Sequence, residues 1–134
     1  MRFGNNVRPT SGAGEAAMAY MLLIVEPAGQ RQNRTESEGR TLYDRMLRFS
    51  ADLKARGLLT MSQALKTDTN GARVRLRGRE PVVVDGPFAE AKEMIGGFFL
   101  LTCETREEAI AVARECPAAA WATVEVRELG PCFE

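Results

Sequence analysis

The sequence of 134 residues contains no histidine. Histidine is the commonest general acid or base near neutral pH and the commonest protein ligand of metal ions. Its absence excludes Ser-His-Asp and Cys-His catalysis unless a partner supplies the residue. Only a carboxylate site for a hard cation remains, so we expect neither a metal nor another cofactor.

Cysteine is scarce as well, with three residues at Cys103, Cys116 and Cys132. An odd number without metal-site spacing predicts free thiols in a reducing, cytoplasmic compartment. Cys103 lies at the end of a predicted strand and Cys116 in a predicted helix, and no cationic neighbourhood in the sequence activates either thiol. We therefore expect both to be buried and unreactive.

An excess of charge of one sign is lacking too. Eighteen Lys and Arg balance eighteen Asp and Glu, so the formal net charge is zero. No global field then favours nucleic acid or an anionic membrane surface. No apolar run approaches the ~20 residues that span a bilayer. We expect neither direct nucleic-acid binding nor a membrane partner.

The first 18 residues differ in composition from the rest. They are rich in Gly, Asn, Ser and Arg, follow no hydrophobic period and lack the apolar segment of a secretory signal. We predict a disordered extension over residues 1–18, with Met18 as an alternative start of translation. Residues 19–134 are then one domain, long enough for a self-standing core.

Hydrophobic periodicity predicts the order strand, helix, strand, hairpin, strand, helix, strand. The strands are predicted over residues 20–25, 58–65, 72–77, 82–84, 98–103 and 121–129. The first helix has an apolar stripe at 3.6-residue spacing, made of Leu42, Met46, Phe49 and Leu53. Its start is open between two capping signals, Thr35 with Glu38 and Thr41 with Asp44. The second helix begins at the capping box of Thr105 and Glu108.

Two helices on mainly antiparallel strands predict a two-layer α+β sandwich. The first strand is a continuous apolar run, typical of a central strand buried on both faces. If both helices pack on one face of the sheet, the other face is bare. A second copy of the chain is the simplest cover for it, which predicts a homodimer.

A rigid turn follows the strand over residues 82–84. Asp85 leads into Gly86 and Pro87, a charged segment follows, and Gly96-Gly97 is predicted to break the chain again. Asp85 has two interpretations: it holds the turn by accepting backbone N–H bonds, or it binds a ligand or acts as a general acid/base.

Other side chains near the turn carry similar alternatives. Lys92 belongs to a solvated loop, or to a lid that binds an anionic substrate group with Gly96-Gly97 as its hinge. These glycines would otherwise permit close backbone packing. Phe88 is the aromatic residue best placed to line a pocket. Ser62 could reach a cleft from the second strand, although an isolated Ser is weak evidence for a nucleophile.

The chain resembles the DGPF-type branch of the YCII-related family. The resemblance is carried by residues 20–24, by residues 84–93 (Val-Asp-Gly-Pro-Phe-Ala-Glu-Ala-Lys-Glu) and by Gly96-Gly97-Phe98, with support from residues 108–109 and 124–127. It implies a ferredoxin-like fold that forms a dimeric α/β barrel, in a bacterial, cytoplasmic protein. It also implies a cleft near the DGPF turn, with Asp85 as catalytic candidate. Some members pair this aspartate with a histidine, and that mechanism does not carry over here.

Two functions follow as hypotheses. The first is a small-molecule enzyme or metabolite-binding protein with a cleft at the DGPF turn for a small anionic or carboxylate ligand. Its candidate substrate-binding residues are Ser62, Gly86, Pro87, Phe88 and Lys92. The second is a non-catalytic dimeric regulatory module linked to a sigma factor, since relatives occur beside or fused to such factors.

Overall fold

The computed structural model describes residues 19–133. The predicted disorder of residues 1–18 and the alternative start at Met18 lie outside the described residues. Two α-helices and six strands make up the described chain. They are β1 (Tyr20–Pro27), α1 (Glu36–Ala55), β2 (Leu59–Ala64), β3 (Ala72–Arg77), β4 (Glu80–Asp85), β5 (Glu93–Leu101), α2 (Arg106–Glu115) and β6 (Thr123–Glu128).

The strands form two antiparallel sheets. The larger has the order β2-β5-β1-β6, with β1 hydrogen-bonded on both sides. The smaller is the predicted hairpin, in which β3 pairs with β4. The predicted α+β class is confirmed. Within residues 19–133, neither helix is both long and apolar enough to cross a bilayer.

The core lies between the larger sheet and the two helices. Leu22, Leu53 and Leu101 are fully buried there, and the ring of Phe49 meets that of Phe99 edge-on at 5.3 Å. In β1 the buried positions alternate with partly buried ones, because successive side chains point to opposite faces of the sheet.

The other face of the larger sheet has no covering layer among residues 19–133. We call it the bare face; its apolar residues are Met21, Leu23, Val25, Met61, Ile95, Phe98 and Leu100. Met61 and Ile95 are 46% and 42% exposed, and the other five are partly buried. The prediction that β1 is buried on both faces is therefore wrong for the described chain.

Both helices begin at capping boxes. In α1 the Thr35 hydroxyl accepts from the N–H of Glu38, whose carboxylate accepts from the N–H of Thr35. The longer of the two predicted starts is thus correct, and Gly39 lies inside the helix. The predicted box of Thr105 and Glu108 opens α2.

The predicted break at Gly96-Gly97 is wrong. Both glycines lie within β5, which begins at Glu93 rather than at Phe98. They are buried, and the pairing of β5 with β1 shifts register beside them, between Ile24 and Val25. A hinge at this place is excluded by the strand pairing, and the alternative of close packing is confirmed.

The three thiols differ in access. Cys103 and Cys116 are buried, at 2% and 3% exposure, and burial raises the pKa of both thiols. Cys132 is exposed. A thiol that is buried and held protonated is a poor nucleophile.

We expect the thiol reagent DTNB to label one cysteine per native chain and three in denaturant. The native signal should disappear in Cys132→Ser, which serves as the control. Rapid labelling of two or three thiols in the native protein would contradict the packing described here.

Candidate functional site

A cavity of about 630 Å³ lies between α1 and the helix-covered face of the larger sheet. We call it the α1 cavity. The C-terminal half of α1 packs on the sheet through Phe49 and Leu53, which are buried. In its N-terminal half, Leu42 and Met46 are only partly buried and Tyr43 is 52% exposed.

Small residues on the sheet explain the space beneath that half of the helix. The cavity wall there is formed by Ser62, Ala64, Gly96 and Gly97. Gly96 and Gly97 have no side chain and Ala64 has only a methyl group, which leaves space beneath α1. The Ser62 hydroxyl meets Ser50 of the helix, and the larger Phe99 meets Phe49 further along. The predicted apolar stripe of α1 therefore belongs to the core in the C-terminal half of the helix, at Phe49 and Leu53, and to the cavity wall in the N-terminal half, at Leu42 and Met46.

An ion pair between a buried carboxylate and a partly buried guanidinium forms one end of the cavity. The Glu26 carboxylate is 5% exposed and accepts from both Nε (2.8 Å) and Nη2 (3.0 Å) of Arg31. Arg31 also donates from Nη1 to the Leu65 carbonyl at 2.7 Å and from Nη2 to the Gly96 carbonyl at 3.3 Å. A buried carboxylate needs this pairing, because the desolvated charge is costly alone.

Gly96 makes room for the pair. A Cβ at this position would overlap Oε1 of Glu26 and lie 2.8 Å from Nη2 of Arg31. The ion pair rests directly on the backbone of β5, so any side chain at Gly96 would displace it.

A second arginine, Arg34, lies on the cavity wall and is partly buried. Its Nη2 donates to Oε1 of Gln30 at 2.9 Å, and Nε2 of Gln30 donates to the Trp121 carbonyl at 2.8 Å. Trp121 lines the cavity as well, and the guanidinium of Arg45 lies 5.3 Å from the centroid of its ring.

Two further polar pairs line the cavity. The hydroxyls of Ser50 and Ser62 lie 2.8 Å apart, and either can donate. Arg40 donates to Glu36 at 2.8 Å, one helical turn away and in solvent. Ser62, a substrate-binding candidate from the sequence, is therefore a cavity residue. Its hydroxyl bonds another hydroxyl rather than a base.

The DGPF turn lies elsewhere, against the loop that precedes β3. The N–H of Gly86 donates to the Gly71 carbonyl at 2.8 Å, and the N–H of Phe88 donates to Asp68 Oδ2 at 3.3 Å. A Cβ on Gly86 would overlap the Asp68 carbonyl oxygen. The carboxylate that accepts from this turn is Asp68; the Asp85 side chain is exposed.

A second space, about 610 Å³, lies between the hairpin and the edge of the bare face. We call it the hairpin cleft. Phe88 lines it, with the guanidinium of Arg73 stacked 3.9 Å from the centroid of the Phe88 ring. Val25 and Ile95 contribute apolar surface from the bare face.

The structure thus separates the candidates that the sequence grouped. Ser62 lines the α1 cavity and Phe88 the hairpin cleft. Asp85, Gly86, Pro87 and Lys92 line neither of these two spaces. Lys92 is exposed, and its carbonyl accepts from the N–H of Ala28 at 2.9 Å.

Sequence reasoning missed Glu26, Arg31 and Arg34. One signal was present: Glu26 is in phase with Tyr20, Leu22 and Ile24, the buried positions of β1. A glutamate in that phase needs a buried partner. That partner, Arg31, lies in a segment whose sequence indicates only a polar loop and contains no signal for a buried ion pair. Within residues 19–133, no three His, Cys, Asp or Glu side chains converge as metal ligands.

The protein-family model described as YCII-related domain matches residues 18–132. Among curated proteins, the chain is 45% identical over 47 residues to a protein of Rhizobium meliloti (strain 1021) that is named only as uncharacterized. That similarity spans 35% of this chain and 38% of the relative.

Gly96→Ala tests whether the ion pair depends on this glycine. We expect a loss of unfolding free energy on the order of 1 kcal/mol, because the added Cβ displaces the ends of the Glu26 and Arg31 side chains from their present positions. Gly39→Ala is the matched control: a Cβ there meets nothing within 4 Å, and Ala in a helix is favoured over Gly by ~1 kcal/mol. Chemical denaturation measures both. Equal stability of the two variants would contradict the description of the pair.

Proposed function

The chain belongs to the YCII-related domain family, and we propose that it is a small-molecule-binding protein whose ligand occupies the α1 cavity. The observation that carries the proposal is the cavity itself. Its volume falls in the range typical of ligand pockets, and its walls combine apolar side chains with a few fixed polar groups.

The α1 cavity supports this function better than the hairpin cleft does. Its floor is the rigid, doubly paired centre of the larger sheet, and the ion pair of Glu26 and Arg31 fixes one end. The hairpin cleft is bounded by β3, whose residues are all exposed. A preformed site lowers the entropic cost of binding.

Binding, rather than turnover, is the function that the cavity groups support. The Glu26 carboxylate is engaged by Arg31, and the Ser62 hydroxyl pairs with Ser50. General acid/base catalysis needs a group within hydrogen-bond reach of the reacting proton. Asp85 stays a catalytic hypothesis for a reaction at the DGPF turn, outside this cavity.

We also propose that two copies pack through the bare face to give a dimeric barrel. The strand order β2-β5-β1-β6 supports a ferredoxin-like arrangement. Seven apolar side chains on the bare face remain at least partly accessible, as do Val74, Leu76, Val83 and Val84 of the hairpin. Contiguous apolar surface of this kind marks interaction sites.

The cavity can be blocked from Gly39, which lines it and has open space where a Cβ would be. The probe ligand is phenylacetate, a small carboxylate with an aromatic body. We expect the Gly39→Phe variant to fold normally and to lose binding of this probe, because the added ring fills the cavity. Ala51→Phe is the control, on an exposed part of α1 outside the cavity. Trp121, the single tryptophan of the chain, reports binding by its fluorescence.

Saturable binding that Gly39→Phe leaves intact would place the ligand elsewhere and overturn the assignment of the cavity. If neither a small carboxylate nor its neutral analogue binds the wild-type protein, the result favours the alternative hypothesis of a regulatory module that binds another protein.

For the dimer, we expect light scattering at micromolar concentration to give twice the mass of one chain. Met61→Glu, on the bare face, should shift the protein to monomer because it would bury charges in the interface. Leu47→Glu is a control of similar exposure, 48% against 46%, on α1. A monomeric wild-type protein would refute the proposed assembly.

A further inference from the structure

We propose that the ligand of the α1 cavity is a monocarboxylate with a compact apolar body, and that Arg34 binds its carboxylate. This inference rests on the proposed function, since it names the ligand class of the same cavity. It is argued from the charges that line the cavity and from how each of them is already used.

Most of the charge in the cavity is neutralised within the chain. Three arginines and two glutamates line it. Arg31 pairs with Glu26, and Arg40 pairs with Glu36. Among residues 19–133, no carboxylate lies within 4 Å of the Arg34 guanidinium. The cavity therefore has a surplus of one positive charge, and Arg34 carries it.

Arg31 cannot take the role of anion receptor without loss. Four of its five N–H groups donate to Glu26, Leu65 and Gly96. Turning it toward a ligand would leave the Glu26 carboxylate, at 5% exposure, without its partner. Leaving the buried Glu26 carboxylate without a partner destabilises the protein by more than a new hydrogen bond from Arg31 to a ligand stabilises the complex.

Arg34 has both the free donors and the fixed position that recognition requires. One Nη2 hydrogen of Arg34 donates to Oε1 of Gln30, and Nε2 of Gln30 donates to the Trp121 carbonyl, which fixes the position of the Gln30 side chain. The remaining N–H groups of the planar fork have no acceptor among the hydrogen bonds of the described chain. A guanidinium with free donors binds a carboxylate in two parallel hydrogen bonds.

The rest of the wall defines the body of the ligand. Leu42, Met46, Phe99 and Trp121 present apolar and aromatic surface to the cavity. An apolar or aromatic group fits such walls, and a strongly hydrated one does not. A single surplus cation matches one negative charge.

The test compares phenylacetate with phenylacetamide, which has the same body and no charge. Trp121 fluorescence measures the dissociation constant of each for the full-length chain. In the wild-type protein we expect the acid to bind at least tenfold more tightly than the amide. Arg34→Gln should reduce that preference to less than twofold, because it weakens binding of the acid much more than binding of the amide, and Arg34→Lys should give an intermediate preference.

Arg48→Gln is the matched control, since Arg48 is an exposed residue of α1 outside the cavity and loses the same charge. It should retain the wild-type preference. Thermal denaturation of each variant checks the fold. If Arg34→Gln keeps the preference, or if Arg48→Gln loses it equally, Arg34 is not the receptor.

The outcomes also separate this inference from the proposed function. If acid and amide bind equally and Gly39→Phe blocks both, the cavity is a binding site and only the carboxylate assignment fails. If neither probe binds the wild-type protein, both proposals fail.

Discussion

The ion pair between Glu26 and Arg31 is the constraint on which this structure most depends. It joins the end of β1 to the following loop, and through Arg31 it reaches the end of β2 and the middle of β5. The Glu26 carboxylate needs this partner, because an unpaired charge at 5% exposure is destabilising by about 3–5 kcal/mol. Gly96 is the residue whose missing side chain lets the pair form.

The α1 cavity follows from the same arrangement. One half of α1 is packed on the core by Phe49 and Leu53, while small residues of β2 and β5 leave a gap beneath the other half. The loop that carries Arg31 closes one end and brings Arg34 to the wall. Because Arg31 is neutralised by Glu26, Arg34 carries the surplus positive charge of the cavity. Arg31 thus contributes to the stability of the fold, and the neighbouring Arg34 sets the proposed preference for a carboxylate ligand.

Local signals in the sequence predicted the elements well. The capping boxes at Thr35 and Thr105, the apolar stripe of α1 and the hairpin all depend on residues within a few positions of one another. The cavity depends on contacts across 34 and 65 residues, from Arg31 to Leu65 and Gly96. Composition and spacing do not encode these contacts. The sequence therefore predicts a chain break at Gly96 and draws attention to Asp85, and it contains no signal for the position of Arg34.

The most direct measurement uses ¹³C-methyl-labelled methionine and NMR titration with phenylacetate. Met46 lines the α1 cavity, Met94 lines the hairpin cleft, and Met21 and Met61 lie on the bare face. The account predicts a saturable shift of the Met46 methyl resonance, with the other three unchanged. A shift of Met94 without Met46 would place the ligand at the DGPF side of the molecule and contradict the assignment of the cavity.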